Sequence, residues 1–197
     1  MPWRNPVTVR YTRNHMRLTV VTPLFPPDVH DVANYHKDLV TRLTREHTVT
    51  VALFGYLPEG VPQVLFTTID KRTNVTTRLW QMFCTLLTLR KKTDWFIVTN
   101  GPSTELPALI LSFFTRTPIL LLASDSIQSG GVYRLIHKLL LQKVQATITI
   151  LETRNVLIRP EIHPLIAGSA SALSDYETAW ANHLTDITHL LNYDTHH

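Results

Sequence analysis

The chain has 197 residues, enough for one domain with a substantial core and short for two. Hydrophobic residues make up 44% and charged residues 17%, with a mean hydropathy of +0.02, which excludes a disordered or highly charged chain. A formal charge of +4 and a pI near 9.4 favour anionic surfaces or phosphate ligands but are too mild to argue for nucleic acid.

Residues 1–15 are polar and basic with two prolines and read as a loose arm without the apolar run of a signal peptide. Arg17 to Pro23 is a β-branched run ending at proline, a strand, followed by the turn-rich LFPPDVHD loop. From Asp31 to His47, Val32, Tyr35, Leu39 and Leu43 share a helical face, with Asp31 as the N-cap. Thr48 to Phe54 is a second strand, Gly55 to Gly60 a turn, and Val64 to Ile69 a third, weaker strand.

Thr76 to Leu89 is a long apolar helix closed by Arg90, Lys91 and Lys92, cations suited to a helix C-terminus. It holds the lone cysteine, Cys84, read as a small buried hydrophobe; one cysteine forms no internal disulfide and fits a reducing compartment. Trp95 to Thr99 is a continuous apolar strand, Asn100-Gly101-Pro102 a turn, Leu106 to Phe114 a helix and Ile119 to Ala123 a fully apolar strand. Arg116 and Pro118 interrupt this most apolar stretch, so it is not a membrane span. After the SDSIQSGG loop come a basic helix, Val132 to Val144, and a last strand, Thr147 to Leu151.

Apolar strands separated by helices predict a parallel sheet covered on both faces. The fold class is therefore α/β: a single Rossmann-like domain over residues 16–152, plus a C-terminal amphipathic helix. Residues 153–173 read as a linker, 174–192 as that helix and 193–197 as a tail. Tyr176, Trp180, Leu184, Ile187 and Leu191 give the helix its apolar face, and Ser174 with Glu177 gives a capping-box signal.

In the first βαβ unit the strand, Phe25-Pro26-Pro27, Ala33, Tyr35, Leu39, Leu43 and His47-Thr48-Val49-Thr50-Val51 follow in order. This segment resembles the opening of GT-B glycosyltransferases of the family 4 type, and DWFIVTNGPSTELPALILSFFTRTPILLLASDS is similar to a later stretch of the same domain. The resemblance covers roughly residues 16–152. It implies an acceptor-side domain. Where the family carries two glycines after the first strand this chain has His30-Asp31, and where the family has His-Asp it has Ser124-Asp125. The family's second, donor-binding domain and its paired glutamates have no counterpart, since Glu152 and Glu161 are nine residues apart. The terminal helix looks like the one that closes back onto the first domain in that family.

Ligands of open parallel sheets sit at the carboxyl ends of the strands. Those ends supply a candidate ligand site of His30, Asp31, Asn100, Gly101, Ser103, Ser124, Asp125 and Arg154. Asp125 and His30 are the candidate catalytic groups; a loop histidine, a helix cap and turn chemistry account for His30, Asp31 and Asp125 as well. No histidine pair has metal-ligand spacing, so no metal is expected. Arg78, Trp80, Arg90, Lys91, Lys92, Arg134 and Lys138 form a basic and aromatic set suited to an anionic membrane or a partner, or to a solvated helix face.

The expected function is an acceptor-side or membrane-docking glycosyltransferase subunit, inactive by itself. It binds no cofactor of its own and meets a nucleotide-sugar donor only through a partner domain on another chain. The alternative is a non-catalytic binding or scaffold module, such as a homodimer. A cytoplasmic, peripheral-membrane location and no nucleic-acid partner complete the expectation.

Overall fold

The computed structural model describes residues 15–27, 31–55, 58, 61–123, 131–150 and 170–193. Six strands and five helices follow in the order β1 (Arg17–Thr22), α1 (Asp31–Leu43), β2 (Thr48–Phe54), β3 (Val64–Ile69), α2 (Val75–Leu89), β4 (Trp95–Thr99), α3 (Pro102–Ser112), β5 (Ile119–Ala123), α4 (Val132–Leu141), β6 (Ala146–Thr149) and α5 (Ala170–Tyr193). The strands form one sheet in the order β3-β2-β1-β4-β5-β6, and all five pairings are parallel. This is the doubly wound Rossmann order, and it places the reversal of strand order between β1 and β4.

Successive side chains of a strand point to opposite faces, so central strands that are apolar throughout must be covered twice. Leu18, Val20, Val49, Val51, Leu53, Ile97, Leu120 and Leu122 pack on one side with Tyr35, Leu39 and Leu43 of α1 and with Tyr176, Trp180, Ile187 and Leu191 of α5. Val21, Ala52, Phe54, Phe96, Val98, Ile119 and Leu121 pack on the other with Met82, Phe83 and Leu86 of α2, Ala108 and Leu111 of α3 and Leu140 of α4. Cys84 is half-buried against this second core.

The terminal helix is an integral part of the first core. Trp180 is 2% exposed and stacks on Tyr35 at 5.3 Å between ring centroids. Arg42 of α1 lies over the Trp180 ring at 5.1 Å and makes a two-pronged ion pair with Glu177 at 2.7 and 2.9 Å. Tyr35 Oη and His183 Nε2 are 2.7 Å apart, and Tyr176 donates to Asp38. Burial holds the His183 imidazole below its usual range and so keeps it neutral.

Several helix boundaries differ from the sequence reading. α3 begins at Pro102 rather than Leu106, because proline's fixed φ and missing N–H suit the first helical position. α5 begins at Ala170, so Ser174 lies within the helix and caps nothing; Glu177 turns to Arg42 instead. α1 stops at Leu43, where residues 44–46 make a turn, α4 stops at Leu141, and β6 starts one residue early at Ala146.

Truncating Trp180 removes the largest fully buried side chain and the platform for Tyr35 and Arg42. Trp180→Ala is expected to cost about 3–5 kcal/mol of unfolding free energy. Urea denaturation followed by far-UV circular dichroism checks this; a loss below about 1 kcal/mol would mean that α5 is not packed as described.

Candidate functional site

The loops leaving the carboxyl ends of the paired strands β1 and β4 diverge at the reversal point, and one buried histidine ties those ends together. His36 of α1 is fully buried, with Nδ1 2.6 Å from the Val32 carbonyl and Nε2 2.5 Å from Thr99 Oγ1 at the end of β4. A carbonyl only accepts, so Nδ1 carries the proton, Nε2 is the acceptor, and the Thr99 hydroxyl donates to it. Thr22 at the end of β1 donates to the Leu24 carbonyl, and its oxygen lies 3.2 Å from His36 Nδ1. Burial pushes the His36 pKa down to about 4, which fixes the neutral form that this pattern needs.

The start of α3 is held by a second network. Gly101 precedes the helix at φ +145°, a conformation that favours glycine. Thr104 donates to the Thr99 and Gly101 carbonyls at 2.6 and 3.0 Å. Glu105 is buried, and its carboxylate accepts the Gly101 N–H at 3.1 Å, the Tyr133 hydroxyl at 2.7 Å and His137 Nδ1 at 3.0 Å. The last two come from α4, so a buried acid pins two helices to the strand end. Burial and the Glu105 carboxylate push the Tyr133 phenol up, keeping it protonated as a donor.

A cavity of about 210 Å³ opens at the carboxyl ends of β1 and β2. Pro23, Phe54, Lys71, Val75, Arg78, Leu79 and Ser103 line it. Lys71 comes from the turn after β3, Arg78 from the first turns of α2 and Ser103 from the first turn of α3. Asn74 caps α2, its side chain accepting the Thr77 N–H at 2.8 Å.

Of the residues expected here, Ser103 lines the cavity, while Asn100 and Gly101 are buried and are not among its lining residues. His30, Ser124, Asp125, Arg154 and the side chain of Asp31 lie outside the described residues. Arg78, expected at a membrane or partner surface, also lines the cavity. The sequence reading missed Lys71, His36, Glu105 and Tyr133, and took His137 only as part of a basic helix. Among the described residues, no three His, Cys, Asp or Glu side chains gather as a metal site would require.

The layer of α2, α3 and α4 presents an apolar and basic exterior. Trp80 is 65% exposed, Phe113 66% and Val132 75%, with Phe114, Leu135 and Leu139 also open. Trp80, Phe83 and Phe114 form a chain of ring contacts at 5.5 and 5.7 Å, and Lys143 sits over Phe113 at 5.1 Å. Residues 71–145 hold ten lysines and arginines against Asp94, Glu105 and Asp125, whereas α5 holds three acids and no lysine or arginine. No helix among the described residues is long and apolar enough to cross a membrane.

No family model and no curated protein sequence matches the chain. Solved structures similar to it include HepE of Anabaena in complex with UDP and glucose, at 12% identity and a TM-score of 0.49, covering 68% of this chain and 37% of that one. A UDP-GlcNAc 2-epimerase from Methanocaldococcus jannaschii follows at 10% and 0.46, covering 68% and 39%. An alpha-glucosyltransferase in complex with UDP and a 13-mer DNA stands at 11% and 0.42, covering 69% and 38%. The chain thus spans under two fifths of the length of these structures, and its fold class rests on its own sheet order.

His36 makes stability depend on pH. Its folded pKa of about 4 lies below the unfolded value near 6.5, so its contribution is complete above about pH 6.5 and is lost as pH falls toward 4. The full loss is about 3 kcal/mol. His183, shifted in the same direction, adds to the slope. Urea midpoints measured across this window for wild type and His36→Gln check the assignment: the wild type must fall more steeply, and equal slopes would refute a neutral buried His36.

Proposed function

We propose that the chain is the acceptor-side half of a GT-B-type glycosyltransferase that docks on an anionic membrane surface. Its nucleotide-sugar donor is then bound by a domain on another polypeptide. The α2–α3–α4 exterior carries this reading. Exposed Trp80, Phe113 and Phe114 offer apolar insertion at the headgroup boundary, and Arg90, Lys91, Lys92, Arg134 and Lys138 offer attraction to anionic lipid.

The strand-end cavity supports placing the donor elsewhere. Pockets that enclose a drug-sized ligand run from about 300 to 1,000 Å³. The described residues enclose about 210 Å³, below that range. A scaffold that pairs two copies through the same exterior is disfavoured by charge, because each copy brings the same excess of lysine and arginine to the contact.

Co-sedimentation with phosphatidylcholine vesicles, with and without phosphatidylserine, tests the docking. Binding is expected only to the anionic vesicles. Replacing Arg90, Lys91 and Lys92 together by alanine should weaken it roughly a hundredfold, at about 1 kcal/mol per basic residue. Equal binding to neutral vesicles, or self-association through this face, would overturn the reading. In thermal-shift measurements UDP- and GDP-sugars should stabilise the chain no more than inorganic pyrophosphate does; a larger shift would place a donor site in this domain.

A further inference from the structure

We infer that His137 of α4 is a modification site: its Nε2 accepts a phosphoryl group from a phosphoramidate, and the added charge releases the α2–α3–α4 exterior from an anionic surface. The release rests on the docking reading above; the acceptor site itself does not. Glu105 is fully buried, and both of its carboxylate oxygens lie 3.0 Å from His137 Nδ1. A carboxylate only accepts, so Nδ1 carries the proton and the lone pair of the neutral ring stands on Nε2. Among the described residues no hydrogen bond reaches Nε2, and the His137 side chain is 32% exposed. Pinning α4 to Glu105 uses one nitrogen, which leaves the other to react.

A nucleophile oriented by a third group is the arrangement that covalent transfer needs. Nε2 attacks the phosphorus, an N–P bond forms, the donor's own P–N bond breaks with its electron pair, and the donor's protonated nitrogen leaves as the amine. The ring becomes a cation that keeps its Nδ1 proton, and the buried Glu105 carboxylate stabilises that charge as it develops. The Gly101 N–H at 3.1 Å and the Tyr133 hydroxyl at 2.7 Å hold the carboxylate in place. Arg134 stands exposed one turn earlier on the same side of α4 and offers a planar fork to phosphoryl oxygens, with exposed Lys138 beside the ring. The other described histidines are poorer acceptors. His15 engages both ring nitrogens at 2.9 and 2.8 Å, and His36, His47 and His183 are buried. His189 lies on α5, where three acids and no lysine or arginine oppose an anionic electrophile. A phosphoryl group brings a charge of about −1.5 to −2, which offsets the basic excess of the exterior that attracts anionic lipid.

Treatment of the full chain with phosphoramidate, mapped by mass spectrometry with the isomer read by phosphorus NMR, tests the acceptor. Labelling of His137 at Nε2 is expected at least tenfold faster than labelling of His189. Glu105→Gln should slow it at least tenfold and Arg134→Gln several-fold, while His189→Gln leaves it unchanged. Circular dichroism verifies each fold; Arg134 is exposed, so Arg134→Gln keeps the test decisive should Glu105→Gln not fold. Labelling no faster than at His189, labelling at Nδ1, or an undiminished rate in Arg134→Gln would overturn the site. The phosphorylated chain should then bind phosphatidylserine vesicles at least tenfold more weakly than the untreated chain, and treated His137→Gln should bind as before. Selective labelling with unchanged vesicle binding would sink the release and leave the acceptor standing. An untreated chain that binds no anionic vesicle would sink the docking reading, with the acceptor decided by the labelling.

Discussion

The carboxyl end of the sheet depends on keeping one imidazole neutral. A sheet that reverses its strand order sends the connections of two paired strands, here β1 and β4, to opposite faces, and the loops that diverge there need a fixed point. His36 provides it by giving a proton to a carbonyl of its own helix and receiving one from Thr99 on β4, with Thr22 of β1 in reach. Only the neutral ring can donate at one nitrogen and accept at the other. Enclosure by the core enforces that state, since a charged imidazole in an apolar interior would be strongly disfavoured. Thr104 and Glu105 extend the same fixed point into α3, and Tyr133 and His137 extend it to α4. The cavity wall bearing Ser103 therefore inherits its position from buried hydrogen bonds, not from loop packing.

Both faces of the sheet are closed, but the two helical layers end in different surfaces. On the α1–α5 side the polar groups pair among themselves: Arg42 with Glu177, Tyr176 with Asp38, Tyr35 with His183. Hydrogen bonding from Arg42 holds the Glu177 carboxyl below its usual range, and the pair sits at the rim of a stack of aromatic rings. That side spends its polar chemistry on closing the fold. The α2–α3–α4 side keeps cations and aromatic rings at the surface with little acid among them. Such a distribution contributes nothing to the core and carries a self-repulsion that a neutral surface would avoid. The proposed docking would put these exposed cations and rings to use.

Much of this architecture is legible in the sequence, for identifiable reasons. Strands such as WFIVT and ILLLA carry unbroken apolar runs, which a doubly covered parallel strand requires, and the alternation with helical periodicity fixes the element order. Strand ends then locate Asn100, Gly101 and Ser103 without further information. Helix starts are less legible: Pro102 reads equally as a turn residue and as a first helical residue. That ambiguity hid Glu105, which composition alone would assign to the surface because acids are seldom buried without donors. His36 shares a face with Val32, Ala33 and Tyr35, yet nothing in the periodicity says that this face meets a strand end bearing a threonine. Lys71 was invisible for another reason, since nothing in a turn sequence says that the lysine stem lies along Gly55 and lines a cavity.

The proposed docking role of α2 is compatible with its place in the cavity wall because of the pitch of a helix. Arg78 and Trp80 are two residues apart, about 3 Å along the axis and about 200° around it. One therefore faces the cavity while the other faces outward, as their burial shows. With side chains a helix is about 10–12 Å across, so the cavity side of α2 lies about that far from a surface touched by Trp80. The polar zone on each side of a bilayer is about 5–8 Å deep, from a hydrocarbon core of about 30 Å within a total of about 40–45 Å. If Trp80 enters that zone, the cavity lined by Arg78 stands at or just above its outer boundary. In the proposed docked state the strand-end cavity therefore stays on the aqueous side of the membrane surface.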